Sequence, residues 1–303
     1  MSDLQRALLE WYARCGRAHL PWRTTRDPYL ILVSEFMLQQ TQVDRVLPKF
    51  AIFVERFPTF RALAENGAAE VVRYWHGLGY NSRAVRLHAI ARIVVERYGG
   101  KLPAEVNDLQ SLPGVGPYTA SAVRAFAFDR DDAAVDTNVL RVVHRWKHGV
   151  EYPPKATRAQ LDDEARHIVP PGRGHDWNSA MMDLGATVCT ARAPKCGICP
   201  VALYCKAAPL DAAALDSARR KYAGSRPAGR VVPFSESTRY ARGRIVDRLR
   251  ALPEGAQISL LDLHSELGPL LAGRSVEQTS VIVDALERDA LVTIRDGQIA
   301  LRD

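Results

Sequence analysis

Apolar positions recur three and four residues apart along most of the chain, the spacing that lines one face of an α-helix. Leu4, Leu8, Leu9, Trp11 and Tyr12 share one face of a helix predicted over 4–17. Further helices are predicted over 29–42, 43–56, 59–65, 68–75, 83–98, 105–111, 119–128, 136–147, 157–169 and 176–188. Pro or Gly separates many of them, as at Pro58, Gly77 and Gly79, and Gly99-Gly100. No strand-like alternation occurs before residue 290, so the first 210 residues are expected to be all helical. Short connections and the lack of an internal repeat favour a many-helix fold over a solenoid. Residues 240–303 read differently. Helical patterns at 240–251, 259–267 and 275–289 precede two β-favouring runs, Leu291–Arg295 and Gln298–Leu301, with Asp296-Gly297 between them. Three helices and a hairpin follow the winged-helix order, which serves DNA reading in some proteins and protein docking in others.

Composition narrows the class. Of 303 residues 47% are hydrophobic and 25% charged, which describes a folded chain with a sizeable core. The absence of an 18-residue apolar run argues against a membrane span, and the first residues lack a signal core, so a cytoplasmic location is expected. The net charge of +7 points to a polyanion as partner. That charge is unevenly spread: residues 216–250 hold ten Lys/Arg against three Asp/Glu, and residues 251–303 hold four against nine. Arg219, Arg220, Lys221, Arg226 and Arg230, interspersed with Gly224, Ser225, Pro227, Gly229 and Pro233, mark 208–239 as a basic linker. It is either solvated or laid along a phosphate backbone. The acidic terminal segment makes a protein partner through 240–303 as reasonable as DNA.

Four of the five cysteines, Cys189, Cys196, Cys199 and Cys205, fall within 17 residues. In a chain without a secretion signal, such clustering argues for a metal centre over disulfides. Zinc ribbons pair two Cys-x2-Cys knuckles, whereas here a single knuckle sits in a Cys-x6-Cys-x2-Cys-x5-Cys run. The wrap favours a [4Fe–4S] cluster, with zinc the alternative. Cys15 stands apart and is expected to be a buried small hydrophobe.

Leu112-Pro-Gly-Val-Gly-Pro-Tyr-Thr-Ala120 joins two predicted helices. Gly114 and Gly116 would let the turn expose consecutive amides at the start of a helix, an anion site able to hold a phosphate without reading a base.

This helix–hairpin–helix, the cysteine spacing and the aspartate opening a helix in Val135-Asp136-Thr137-Asn138 together resemble the endonuclease III superfamily of DNA glycosylases. Leu20-Pro-Trp-Arg23, Asp27-Pro-Tyr29, Ser34-Glu-Phe-Met-Leu-Gln-Gln-Thr-Gln-Val43, Trp75-His-Gly-Leu-Gly-Tyr80 and Met181-Met-Asp-Leu-Gly-Ala186 are similar to MutY-type adenine DNA glycosylases over roughly residues 5–207. The resemblance implies an all-α, two-domain helix-hairpin-helix fold with an iron–sulfur loop, followed by the small α+β winged-helix-like module. Residues 1–21 with 135–207 are expected as the cluster domain and 22–134 as the six-helix domain. It further implies base excision repair of adenine opposite 8-oxoguanine or guanine, on mismatched or damaged double-stranded DNA, by a nucleoid-associated monomer.

The roles follow from the same resemblance. Glu35, on an apolar helix where burial would raise a carboxyl pKa, protonates adenine. Asp136 stabilises the sugar cation, the division of labour seen in glycoside hydrolysis. Tyr118 and Asn138 orient these groups, Arg23 and Asp183 line the adenine pocket, and Gln40, Thr41, Leu78 and Tyr80 touch or wedge the duplex. Tyr118 replaces the Schiff-base lysine of the bifunctional branch, so a monofunctional enzyme is expected. Two departures stand out. Residues 208–303 carry the winged-helix pattern where MutY-type enzymes usually have a Nudix-like domain, and Asn81-Ser-Arg-Ala84 looks closer to thymine mismatch glycosylases. A thymine or oxidised-pyrimidine glycosylase is therefore the alternative. A redox-sensing DNA-binding regulator is a third reading, which the pairing of Glu35 with Asp136 argues against.

Overall fold

Several helices begin where a side chain can satisfy amides that have no partner within the helix. Ser2 accepts from the amide of Gln5 while the Gln5 side chain accepts from that of Ser2, and Thr157 with Gln160 and Ser275 with Gln278 repeat this reciprocal cap. The computed structural model describes residues 1–224 and 232–303. Along the chain run α1 (Asp3–Cys15), α2 (Pro28–Leu38), α3 (Val43–Arg56), α4 (Phe60–Glu65), α5 (Ala68–Tyr74) and α6 (Ser82–Tyr98). They are followed by α7 (Val106–Gln110), α8 (Pro117–Ala127), α9 (Thr137–His148), α10 (Arg158–His167), α11 (Gly174–Asp183) and α12 (Ala212–Gly224). The remainder is α13 (Thr238–Arg250), β1 (Ile258–Ser259), α14 (Leu260–Leu267), α15 (Val276–Arg288), β2 (Val292–Arg295) and β3 (Gln298–Leu301). Among the described residues no helix is long and apolar enough to cross a membrane.

The chain forms two compact units. The first comprises Met1–Leu32, Ala104–Gln110 and Val115–Gly229. Its core is built from Leu8, Leu9 and Tyr12 of α1, Val139, Val142, Val143 and Trp146 of α9, and Trp177 and Met181 of α11. Cys189, Cys199 and Cys205 pack against the same core, so the cysteine loop is anchored by the apolar faces of these helices.

The second unit comprises Val33–Pro103, Ser111–Gly114 and Arg230–Asp303. Phe53 meets Phe57 and Trp75 at ring centroid distances of 5.0 and 5.7 Å, which ties α3 to the end of α5. The same unit contains the terminal module, a three-stranded antiparallel sheet in the order β1-β3-β2 carrying α13, α14 and α15. Ile258 pairs with Ile299, and Val292 with Leu301, placing apolar residues on one face. Arg250 donates to the Val72 carbonyl at 2.9 Å and to the Asn81 side chain at 2.7 Å, and Arg73 donates back to the carbonyls of Arg250 and Leu252. The module is thus locked to α5 and the loop after it.

Three expectations need correction. The supposed linker contains α12, because Ala212, Ala213 and Ala214 favour a helix and Leu215 buries to 1% exposure. Arg219 and Arg220 of that helix pair with Asp216, while Arg226 and Arg230 lie outside the described residues. The two-residue strand β1 is not anticipated by the sequence, although it lies beyond the first 210 residues, which hold no strand among those described. Cys15 is exposed at the end of α1. The compact units also divide the chain differently from the expected domains: 22–32 and most of 104–134 go with the cluster loop, and 240–303 goes with α3–α6.

Trp177 is 1% exposed at the centre of the first core. The variant Trp177→Ala is predicted to lose about 3–5 kcal/mol of stability in urea unfolding; a loss below about 1 kcal/mol would place the core elsewhere.

Candidate active site

In the first unit the site begins at the start of α9. Asp136 has an extended backbone and caps the helix, its Oδ1 accepting from the Val139 amide at 2.7 Å. Its Oδ2 accepts from the Asn138 side-chain amide at 2.8 Å. Asn138 is held in turn, since its Oδ1 accepts from Arg141 Nη2 at 2.9 Å. Arg141 also donates to the carbonyl of Gly185 at 2.7 Å and to that of Cys189 at 2.9 Å. A chain of hydrogen bonds therefore runs from the Asp136 carboxylate to the first cysteine of the loop. Gly185 sits in a π-helical turn, Leu184–Val188, and a Cβ there would lie 2.7 Å from the Asn138 Cβ. The absence of a side chain at 185 is what lets this turn approach α9.

Other expected residues of this unit are placed as follows. Tyr118 is half-buried near the start of α8. Gly116 is the extended residue capping α8, with no side chain satisfying the first amides of that helix. Arg23 is nearly buried, lies over the Phe126 ring at 5.1 Å, donates to the Ser179 hydroxyl, and leaves its Nε without a partner. Asp183 is 1% exposed, and both its oxygens are occupied by Arg17, through the backbone amide at 2.7 Å and the guanidinium at 2.9 and 2.7 Å. That pairing anchors the end of α11, and Arg23 approaches the same Asp183 Oδ1 at 3.9 Å, so the structure brings these two residues together. Arg17 lies 166 positions away, beyond the reach of any local sequence signal.

In the second unit Glu35 lies on α2 at 6% exposure, beside the buried Val33, Ser34, Phe36 and Met37. The end of that helix is held by Arg83, a residue not singled out in the sequence. Arg83 donates to the carbonyls of Phe36, Met37 and Gln39 at 2.6, 2.9 and 2.6 Å. It also donates to the Thr41 hydroxyl and the carbonyls of Leu78 and Gly79 at 3.1, 3.1 and 2.9 Å. Burial lowers its pKa to about 10, which leaves it a cation at neutral pH. This single side chain gathers Gln40, Thr41, Leu78 and Tyr80 into one neighbourhood. Leu78 is buried at 3% exposure, so the residue this loop presents is Tyr80, 38% exposed with φ of +44°. Gln40, at φ +56°, is exposed beside it. Gly114, at φ +82°, belongs to this unit, and a Cβ there would come within 2.8 Å of the Arg86 side chain.

Cys189, Cys196, Cys199 and Cys205 line one small void with Arg145, Val188 and Pro194. Four cysteine sulfurs lining one void are the donor set that a [4Fe–4S] cluster takes. Burial pushes the Cys199 thiol up to about 11 and raises that of Cys205, so metal binding must displace protons there. Arg145, itself 1% exposed, donates to the Cys189 sulfur at 3.4 Å and pairs with Glu151.

The chain is similar to several known proteins. Residues 33–167 match the HhH-GPD superfamily base excision DNA repair protein family, and 189–205 match the iron–sulfur binding domain of endonuclease III. The chain carries that iron–sulfur domain, whose span runs from Cys189 to Cys205 and includes Cys196 and Cys199. An adenine DNA glycosylase of Mycolicibacterium smegmatis is 41% identical over 97% of this chain and 94% of its own length. Among solved structures, a thermostable thymine-DNA glycosylase is 33% identical with a TM-score of 0.61, covering 66% of this chain and 93% of that one. An endonuclease III–DNA complex, 21% identical with a TM-score of 0.57, covers 73% of this chain and 100% of that one, and shares the fold.

Two outcomes follow. Replacing any one of Cys189, Cys196, Cys199 or Cys205 by Ser is predicted to lower iron per chain, read by metal analysis, whereas Cys15→Ser leaves it unchanged; equal iron in all five variants would contradict the ligand set. Gly185→Ala is predicted to cost about 1–3 kcal/mol in urea unfolding by forcing the turn off α9; no change would show that the approach is not tight.

Proposed function

The chain belongs to the adenine DNA glycosylase family, within the HhH-GPD superfamily of base excision DNA repair proteins, and on that premise we propose that it hydrolyses the N-glycosidic bond of adenine mispaired with 8-oxoguanine or guanine in double-stranded DNA. The observation that carries the chemistry is the Asp136 carboxylate, fixed through both oxygens at the start of α9. A fixed anion stabilises positive charge developing at C1′ without having to reorganise as the charge forms.

Glu35 supplies the complementary proton. It delivers that proton to N7 of adenine, the C1′–N9 bond breaks with its electron pair leaving on the base, and Asp136 steadies the oxocarbenium-like sugar. Water then adds to C1′ and loses a proton, so the products are free adenine and an abasic site. Asn138 and Tyr118 orient the reacting groups, and Arg23, with one N–H left unpartnered, lines the base pocket. Gln40, Thr41 and Tyr80 meet the duplex, the exposed ring of Tyr80 replacing stacking lost when the adenine is extruded. A hydroxyl at 118 offers no amine for a Schiff base, so the strand is left intact. Cys189, Cys196, Cys199 and Cys205 would hold the cluster, and a loop tied in that way would fix the Cys189 carbonyl to which Arg141 donates. The place of action is the cytoplasm, at the nucleoid.

Thymine release is the competing reading, favoured by the likeness to a thymine-DNA glycosylase. That likeness spans 66% of the chain, against 97% for the mycobacterial adenine enzyme. The two are separated by incubating the protein with duplexes holding A·8-oxoG, A·G, T·G or thymine glycol, with and without alkali. Adenine release with strand scission only after alkali is expected; thymine release without adenine release would overturn the assignment. For Glu35→Gln and Asp136→Asn the expected loss in single-turnover base release is about 10²–10⁴-fold with duplex binding retained. Unchanged turnover would remove the residue from its role.

A further inference from the structure

A second surface in the Glu35-bearing unit lies between the 77–82 loop and α13. It is a cavity of about 570 Å³ whose walls include Gln40, Arg45, Tyr80, Arg239, Arg242 and Arg244. Its two sides are held together, because Arg250 of α13 bonds to Val72 and Asn81, and Arg73 bonds back to the end of α13. The groove is therefore a built feature of one compact unit and does not depend on how a tethered module happens to lie.

Its charges divide into two sets. Arg242 pairs with Asp289, and Arg244 and Arg250 share Asp247. Arg45 and Arg239 are exposed and make no ion pair among the described residues. Arg45 donates to the Gly77 carbonyl, at the rim of the groove. The Arg239 guanidinium lies over the Tyr80 ring at 4.0 Å and near the Phe234 ring at 5.6 Å. A guanidinium stacked on an aromatic face keeps the N–H groups in its own plane for an external acceptor, and that fork matches a phosphate. Cations beside aromatic rings are the combination that tracks a nucleic-acid strand. The module's overall acidity conceals this, since its positive charge is gathered on α13.

Resting on the glycosylase reading, we propose that this groove binds the phosphodiester backbone of the DNA duplex, with Arg239 and Arg45 as phosphate contacts. The C-terminal module then forms part of the DNA-binding surface, next to the loop that presents Tyr80. An acidic protein segment is the competing occupant, and the following test separates the two.

The full chain carrying its cluster is titrated with fluorescent duplexes, one holding A·8-oxoG and one fully paired, from about 50 to 200 mM salt. Each phosphate contact contributes about 0.9 to the slope of log affinity against log salt. Arg239→Ala is expected to reduce that slope by about 0.9, and the Arg45→Ala, Arg239→Ala double variant by about twice as much, equally on both duplexes. Arg288→Ala on α15, exposed and outside the groove, serves as the control and keeps the wild-type slope. An unchanged slope in both groove variants overturns the proposal, as does a loss confined to the 8-oxoguanine duplex, which would mean that the groove reads a base. Adenine release by the wild type, measured on the same preparation, tests the glycosylase reading separately. Release with unchanged slopes rejects the groove alone, and reduced slopes without release reject the adenine assignment and keep the groove.

Discussion

A carboxylate acts as a fixed charge only when something other than the substrate holds it, and the hold on Asp136 is the constraint around which the first unit is arranged. One oxygen caps α9 and the other is taken by Asn138, so neither rotates freely. Asn138 is set by Arg141, and Arg141 reaches the carbonyls of Gly185 and Cys189. The π-helical turn before Cys189 and the missing side chain at Gly185 then have a common reason: both bring the start of the cysteine loop close to the start of α9. The start of the cysteine loop thus meets the start of α9 through its backbone carbonyls.

The second unit uses a cation in the same way. Arg83 donates to seven oxygen acceptors drawn from the end of α2 and the loop before α6, so the helix bearing Glu35 and the loop bearing Tyr80 share one fastener. Removing a buried, multiply bonded cation leaves all its acceptors unmet at once, which is why such a residue tolerates little substitution. Arg250 extends the arrangement to the terminal module through Asn81, at the start of α6. The atypical Asn81, which in sequence looked like a departure from the adenine branch, is in the structure the acceptor that docks the module.

Much of the site was legible because its chemistry is local. The cysteine spacing, the Asp136 cap, the hairpin glycines and the three-helix-plus-hairpin order of the module all lie within short stretches of chain. What was not legible depends on partners far away in sequence. Arg17, which takes both oxygens of Asp183, and Arg83, which ties the end of α2 to the loop before α6, carry no local signal of those roles. Leu78 read as a wedge, yet its side chain is turned into the unit and the strained Tyr80 is presented instead. The basic segment misled in another way: Gly and Pro beyond residue 223 suggested a linker and masked the short helix that Leu215 anchors just before them.

In the proposed mechanism catalysis depends on the orientation of Asp136, and Asn138 gives the most direct access to it because it holds the carboxylate without being either general acid or counter-charge. The decisive measurement is the single-turnover rate of adenine release from an A·8-oxoG duplex by Asn138→Ala, compared with wild type at matched iron content and matched duplex affinity. Losing the hold on one carboxylate oxygen is predicted to slow release by roughly 10–10²-fold, the scale expected when a reacting group is misplaced by a fraction of an ångström to one ångström. A rate equal to wild type would contradict the account.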